Sequence, residues 1–97
     1  MRYRLMNDYS VDWPFWGGEE DPGLCADGDP SLPTDLAVAV RAWAARFNAK
    51  FSWEHGWPDE ETAAFHRAEG ELLHRKVKEA LPGHDVALMY WETAVRS

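Results

Sequence analysis

The sequence predicts an α+β domain in two layers, ordered strand, long loop, helix, helix, strand, with two antiparallel helices packed on a small sheet. Three observations carry that reading. Side-chain polarity or aromatic content alternates with period two near both ends of the chain, two central stretches repeat apolar residues every three or four positions, and the stretch between the first strand and the first helix is broken by proline and glycine. The 97 residues suffice for one domain, 1–97, and not for two. Apolar residues make up 45% of the chain and aromatic ones 13%, enough to offset the entropy of ordering it and to exclude general disorder.

Arg2 to Tyr9 puts Tyr3, Leu5, Asn7 and Tyr9 on one face and Arg2, Arg4 and Met6 on the other, a strand pattern. The following segment, about 10–32, holds Pro14, Gly17, Gly18, Pro22, Gly23, Gly28 and Pro30 and cannot sustain a helix. It also carries Val11, Trp13, Phe15, Trp16 and Leu24, residues that rarely stay in water. We therefore expect an ordered loop anchored by aromatic rings, with room for a short extra strand. Leu36, Val40, Trp43, Phe47 and Phe51 then form one stripe of a helix over 33–52, with Val38, Ala42, Ala45 and Ala49 on the opposite side. Pro33 and Asp35 suit its first turn. A turn around His55 and Gly56 follows.

Pro58 opens the second helix, 58–81, with Asp59, Glu60 and Glu61 at its start and Phe65, Leu72, Leu73, Val77, Ala80 and Leu81 as its expected buried stripe. His66 falls on that stripe, where a hydrogen-bonded core histidine is the ordinary outcome. Pro82 and Gly83 end the helix. Asp85 to Glu92 reads as a strand apolar on both faces, with Val86, Leu88 and Tyr90 on one and Ala87, Met89 and Trp91 on the other. Such a strand is expected to be central in a sheet or covered on its second face, by the Trp13–Trp16 segment or a second copy. The tail 93–97 is expected to fray.

The charge is uneven. The chain carries a net charge of −7, and no Lys or Arg stands between Leu5 and Val40, a stretch holding Asp8, Asp12, Glu19, Glu20, Asp21, Asp27, Asp29 and Asp35. An acidic segment repels nucleic acid and attracts a basic protein; a solvated loop kept soluble by its charge is the plainer alternative. No apolar run is long enough to span a membrane, and the N-terminal residues lack the apolar core of a secretion signal. With one cysteine, Cys25, no internal disulfide can form, and a cytoplasmic location is the simple expectation.

Motifs for chemistry are sparse. Cys25, His55, His66, His74 and His84 show no metal-ligand spacing. Asp27-Gly28-Asp29 lacks the regular ligand pattern of a calcium loop and suits a turn. Cys25 has no nucleophile motif around it, and Gly17-Gly18 leads into three acids that would repel a phosphate. We expect no cofactor, metal or catalytic residue. The six tryptophans serve either as interface anchors or as plugs for a small core.

The pattern Asp8-Tyr9, Trp13-Pro14-Phe15-Trp16, Leu32-Pro33, Leu36, Val40, Trp43, Phe47, Gly56-Trp57-Pro58 resembles small bacterial proteins of high-GC genomes that have no established activity. In size, acidity and single-domain form the chain is also similar to toxin-immunity proteins. That likeness implies a cytoplasmic protein-binding module, an immunity- or antitoxin-like inhibitor of a basic protein partner. Asp12, Glu19, Glu20, Asp21, Asp27 and Asp29 would steer and pair, while Trp13, Phe15 and Trp16 anchor. Two other classes stay open at this point: a small-ligand binder or enzyme with an aromatic pocket beside His55 or His66, and a homo-oligomer, such as a homodimer, whose sheets join.

Overall fold

The computed structural model describes residues 2–17 and 23–96. Its elements are β1 (Arg2–Leu5), β2 (Phe15–Gly17), α1 (Thr34–Lys50), α2 (Glu60–Ala80) and β3 (Asp85–Leu88). They form the expected α+β arrangement, two helices packed on a three-stranded sheet ordered β2-β1-β3. β1 is central. It runs antiparallel to β2, with Leu5 opposite Phe15, and parallel to β3, with Tyr3 opposite Val86. A parallel neighbour requires a long crossover, and both helices lie within it.

Alternation along β1 sends Tyr3 and Leu5 into the core and leaves Arg2 exposed and Arg4 half-buried on the other side. The core is built from Tyr3, Leu5, Trp13, Phe15, Val40, Trp43, Leu73, Val77 and Val86. Leu36, Val40, Trp43, Phe47 and Phe51 point inward as their spacing required, and Val38, Ala42, Ala45 and Ala49 face solvent.

α2 starts one residue after Asp59, whose carboxylate accepts the Thr62 backbone N–H at 2.7 Å. That bond holds the Asp59 carboxyl below the usual aspartate range. The stripe expected of α2 needs correction. Phe65 is 62% exposed and Leu72 is exposed, and the buried positions are His66, Gly70, Leu73 and Val77. Gly70 is required by contact. A Cβ there would come within 2.6 Å of Trp43 Cζ2, so the absent side chain lets the indole lie against the α2 backbone. The Arg46 guanidinium lies over the outward Phe65 ring and pairs with Glu69.

The expectation for the last strand is also overturned in part. β3 neighbours β1 as expected, yet it is an edge strand that ends at Leu88. Ala87 and Trp91 are exposed, and Met89 is 45% exposed. The Trp13–Trp16 segment does not cover that face, because β2 pairs with the other edge of β1. Beyond Leu88 the chain leaves the sheet, so period-two alternation stops assigning faces. The C-terminal segment meets the turn before α2 through main-chain hydrogen bonds. Trp57 N–H donates to the Ala94 carbonyl and Arg96 N–H to the Trp57 carbonyl, both at 2.8 Å. Gly56 sits beneath this crossing at φ +77°, where a Cβ would meet the Ala94 carbonyl oxygen at 2.1 Å.

Candidate functional site

Two regions concentrate polar and aromatic groups. The first is the loop after β1, whose described residues are tied together by hydrogen bonds. Cys25 N–H donates to the Phe15 carbonyl and Gly17 N–H to the Gly23 carbonyl, both at 2.9 Å, and Trp13 Nε1–H donates to the Asp29 carbonyl at 2.8 Å. Arg41 of α1 holds the far side of the loop. Its guanidinium lies 4.5 Å from the Trp13 ring centroid and 2.7 Å from the Asp27 carboxylate. That pairing keeps the Asp27 carboxyl below its ordinary range, chiefly through the hydrogen bond.

The loop residues expected at a partner surface divide. Asp12, Asp27 and Asp29 are exposed. Trp16 is half-buried and gives its indole N–H to the Met6 carbonyl at 2.9 Å. Glu19, Glu20 and Asp21 lie outside the described residues. Trp13 and Phe15, expected as anchors, lie inside the core with ring centroids 4.9 Å apart. There they hold the loop that displays the aspartates.

The second region is a polar cluster inside the aromatic core. Asn7 comes from the end of β1, His66 from α2 and Glu92 from the C-terminal segment, and all three are buried. Asn7 Nδ2 donates to Glu92 Oε2 at 2.9 Å and lies 3.2 Å from His66 Nε2, which is 3.4 Å from Glu92 Oε2. Glu92 Oε1 accepts the Trp91 backbone N–H at 3.1 Å. The His66 ring stacks on Trp43 at 4.8 Å and 10° and meets Trp57 at 4.4 Å. The indoles of Trp43 and Trp57 donate to the backbone carbonyls of His66 and Glu92 at 3.0 and 2.9 Å. Burial pushes the nearby Tyr90 phenol well above its usual range, and the Glu92 carboxylate adds to the effect.

A histidine beside a carboxylate is the geometry of an acid–base pair. Here both side chains are sealed under Trp43 and Trp57, so they tie three distant segments together. The aromatic-pocket alternative placed at His66 therefore finds a closed core. His55 is exposed next to Glu54. His74 Nε2 lies 2.7 Å from the Val86 carbonyl, and His84 packs edge-on against Tyr3. Among the described residues, no three His, Cys, Asp or Glu side chains are grouped to hold a metal ion. No helix of the described residues is long and apolar enough to cross a membrane.

The loop is clamped from within and displays aspartates, and most of the indoles donate to main-chain carbonyls of the molecule itself. The family model described as Serratia CdiI immunity protein-like matches residues 1–93, and the chain belongs to that family. Membership gives it the role of a protein-binding inhibitor whose partner is a toxin. No curated protein matches the chain significantly.

Proposed function

We propose that the chain is a cytoplasmic immunity protein that neutralises a basic toxin by binding it through the acidic loop between β1 and α1. The observation that carries this reading is the absence of any Lys or Arg between Leu5 and Val40, against eight acids there. Asp12 and Asp29, exposed in the structure, act with Glu19, Glu20 and Asp21 to draw in the partner. Asp27 already has Arg41 as an internal partner and contributes by holding the loop in shape. Trp16, half-buried in the structure, anchors the partner in this reading.

The test uses purified full-length chain and the product of a gene adjacent to its own in the native host. The expected result is a stable complex with a protein rich in Lys and Arg, and loss of that protein's toxicity when the two are co-expressed. An acidic partner, a nucleic acid, or a complex that leaves toxicity intact contradicts the reading.

A further inference from the structure

The turn that precedes the acidic loop is built more rigidly than a connection needs. Val11 N–H donates to the Asp8 carbonyl at 3.2 Å, closing a four-residue turn, and Ser10 inside it has φ 64°. A residue with a side chain occupies that left-handed region only at a cost, and such strain persists where surrounding contacts impose it. Asn48 on α1 imposes it here. Its Oδ1 accepts the Ser10 N–H at 2.8 Å, and its Nδ2 donates to the carbonyls of Val11 and Ala44 at 3.1 and 3.0 Å.

What the clamped turn displays is Tyr9, 44% exposed. Its ring lies 5.9 Å from Trp91, 6.5 Å from Phe51 and 5.5 Å from the buried Phe47. Trp91 is 40% exposed, and its position is fixed from below. Its indole donates to the Asn7 carbonyl at 2.8 Å and its backbone N–H to Glu92. The buried Asn7–His66–Glu92 cluster is thus the footing of a partly open aromatic surface.

One carboxylate is fixed at this surface. Asp8 opens the turn, and its side chain accepts the Tyr9 backbone N–H at 2.8 Å. The negative end of the α1 dipole lies beside it at the Phe51 C-cap. Lys50, in the last turn of α1, is the nearest base in sequence. Ring faces next to carboxylates suit a cation, and a guanidinium best, since it stacks on the ring while pairing with the acid.

We infer that the surface formed by Tyr9, Phe51 and Trp91 is a second part of the toxin-binding site and receives an arginine side chain of the toxin, with Asp8 as its charge partner. This rests on the immunity reading and adds to it a specific anchor, where the loop supplies attraction. A turn held in its bound shape before contact loses less freedom on binding, which gives the strained Ser10 and the Asn48 clamp a purpose.

Two arms test it. In the first, an end-capped hexa-arginine peptide is titrated at low salt into the full chain, followed by nuclear magnetic resonance. The Tyr9 amide and Trp91 indole signals should move while the Trp43 and Trp57 indoles stay still. Tyr9→Ala should weaken the peptide about threefold, as loss of an exposed cation–ring contact does, and Tyr9→Phe should restore it. Movement confined to signals of the 12–29 loop, or equal titrations for wild type and Tyr9→Ala, overturns the proposal.

In the second arm the toxin replaces the peptide, and Tyr9→Ala should weaken binding about tenfold or more, as truncating an anchor does. A toxin held equally well by that variant overturns the anchor and leaves the immunity reading standing. A neighbouring-gene product bound by neither protein removes the immunity reading, and the anchor with it. A single cooperative thermal unfolding of Tyr9→Ala, with its midpoint above the assay temperature, excludes misfolding as the cause of any loss.

Discussion

Trp43 and Trp91 each give their indole N–H to a main-chain carbonyl, at 3.0 and 2.8 Å, yet they belong to regions of opposite character. Trp43 is enclosed between the His66 ring and the bare backbone at Gly70. Trp91 is packed by Phe47, Phe51 and Tyr9 and remains open to solvent on its other side. Satisfying the indole donor therefore does not mark a tryptophan as core. What separates the two is whether the second ring face is covered, and only an open face can serve a partner.

The comparison makes the Trp43 side the more fragile. Trp43→Ala should cost about 3–5 kcal/mol, as deletion of a buried aromatic does, and wild-type stability of that variant in a urea titration would contradict the packing described. Gly70→Ala sharpens the same point, because helix propensity alone favours Ala by ~1 kcal/mol. With a Cβ 2.6 Å from a rigid indole, the variant should instead lose about 1–3 kcal/mol, the usual cost of overpacking. A stabilised Gly70→Ala would mean that Trp43 is free to move. On the Trp91 side, Tyr9→Ala should cost about 1 kcal/mol, less than Trp43→Ala, because the ring is partly exposed yet packs on three others.

The fold was legible where local spacing decides it. Period two at Tyr3 and Leu5, and the 36-40-43-47-51 series of α1, required only that the apolar stripe turn inward. Two members of the buried polar cluster had a sequence signal, Asn7 on the inward face of Tyr3 and Leu5 and His66 on the apolar stripe of α2. The partners of Asn7, 59 and 85 positions away, come together only through the crossover, beyond the reach of local pattern. In α2 the inward places of His66, Leu73 and Val77 were legible, while Gly70 was missed because it has no side chain to mark the stripe. Phe65 and Leu72 widened the reading by one position. In the loop, aromatic content was legible as a need for burial, while the division between core Trp13 and Phe15 and half-buried Trp16 depended on where β2 pairs.

The smallest expected effect concerns the loop. Arg41→Gln should let the Asp27 carboxyl rise toward 3.8, its ordinary value, in a nuclear magnetic resonance pH titration. With Arg41 present the folded-state value is depressed. The pair's stabilising contribution is therefore present above the ordinary aspartate range and is lost as pH falls through the depressed value. Asp27 is exposed, so the consequence is for loop shape more than for global stability.

The measurement that bears most directly on the central claim is association kinetics with the toxin at two salt concentrations, for wild type and for the Glu19→Gln, Glu20→Gln, Asp21→Asn variant. Steering by the acidic loop predicts fast association at low salt and slow association at high salt, since charges farther apart than a Debye length of ~8–10 Å are screened. It further predicts that the triple variant loses on-rate more than it gains off-rate. An on-rate indifferent to salt and unchanged in the triple variant would contradict the claim and leave the loop as a solvated connection whose rings belong to the core.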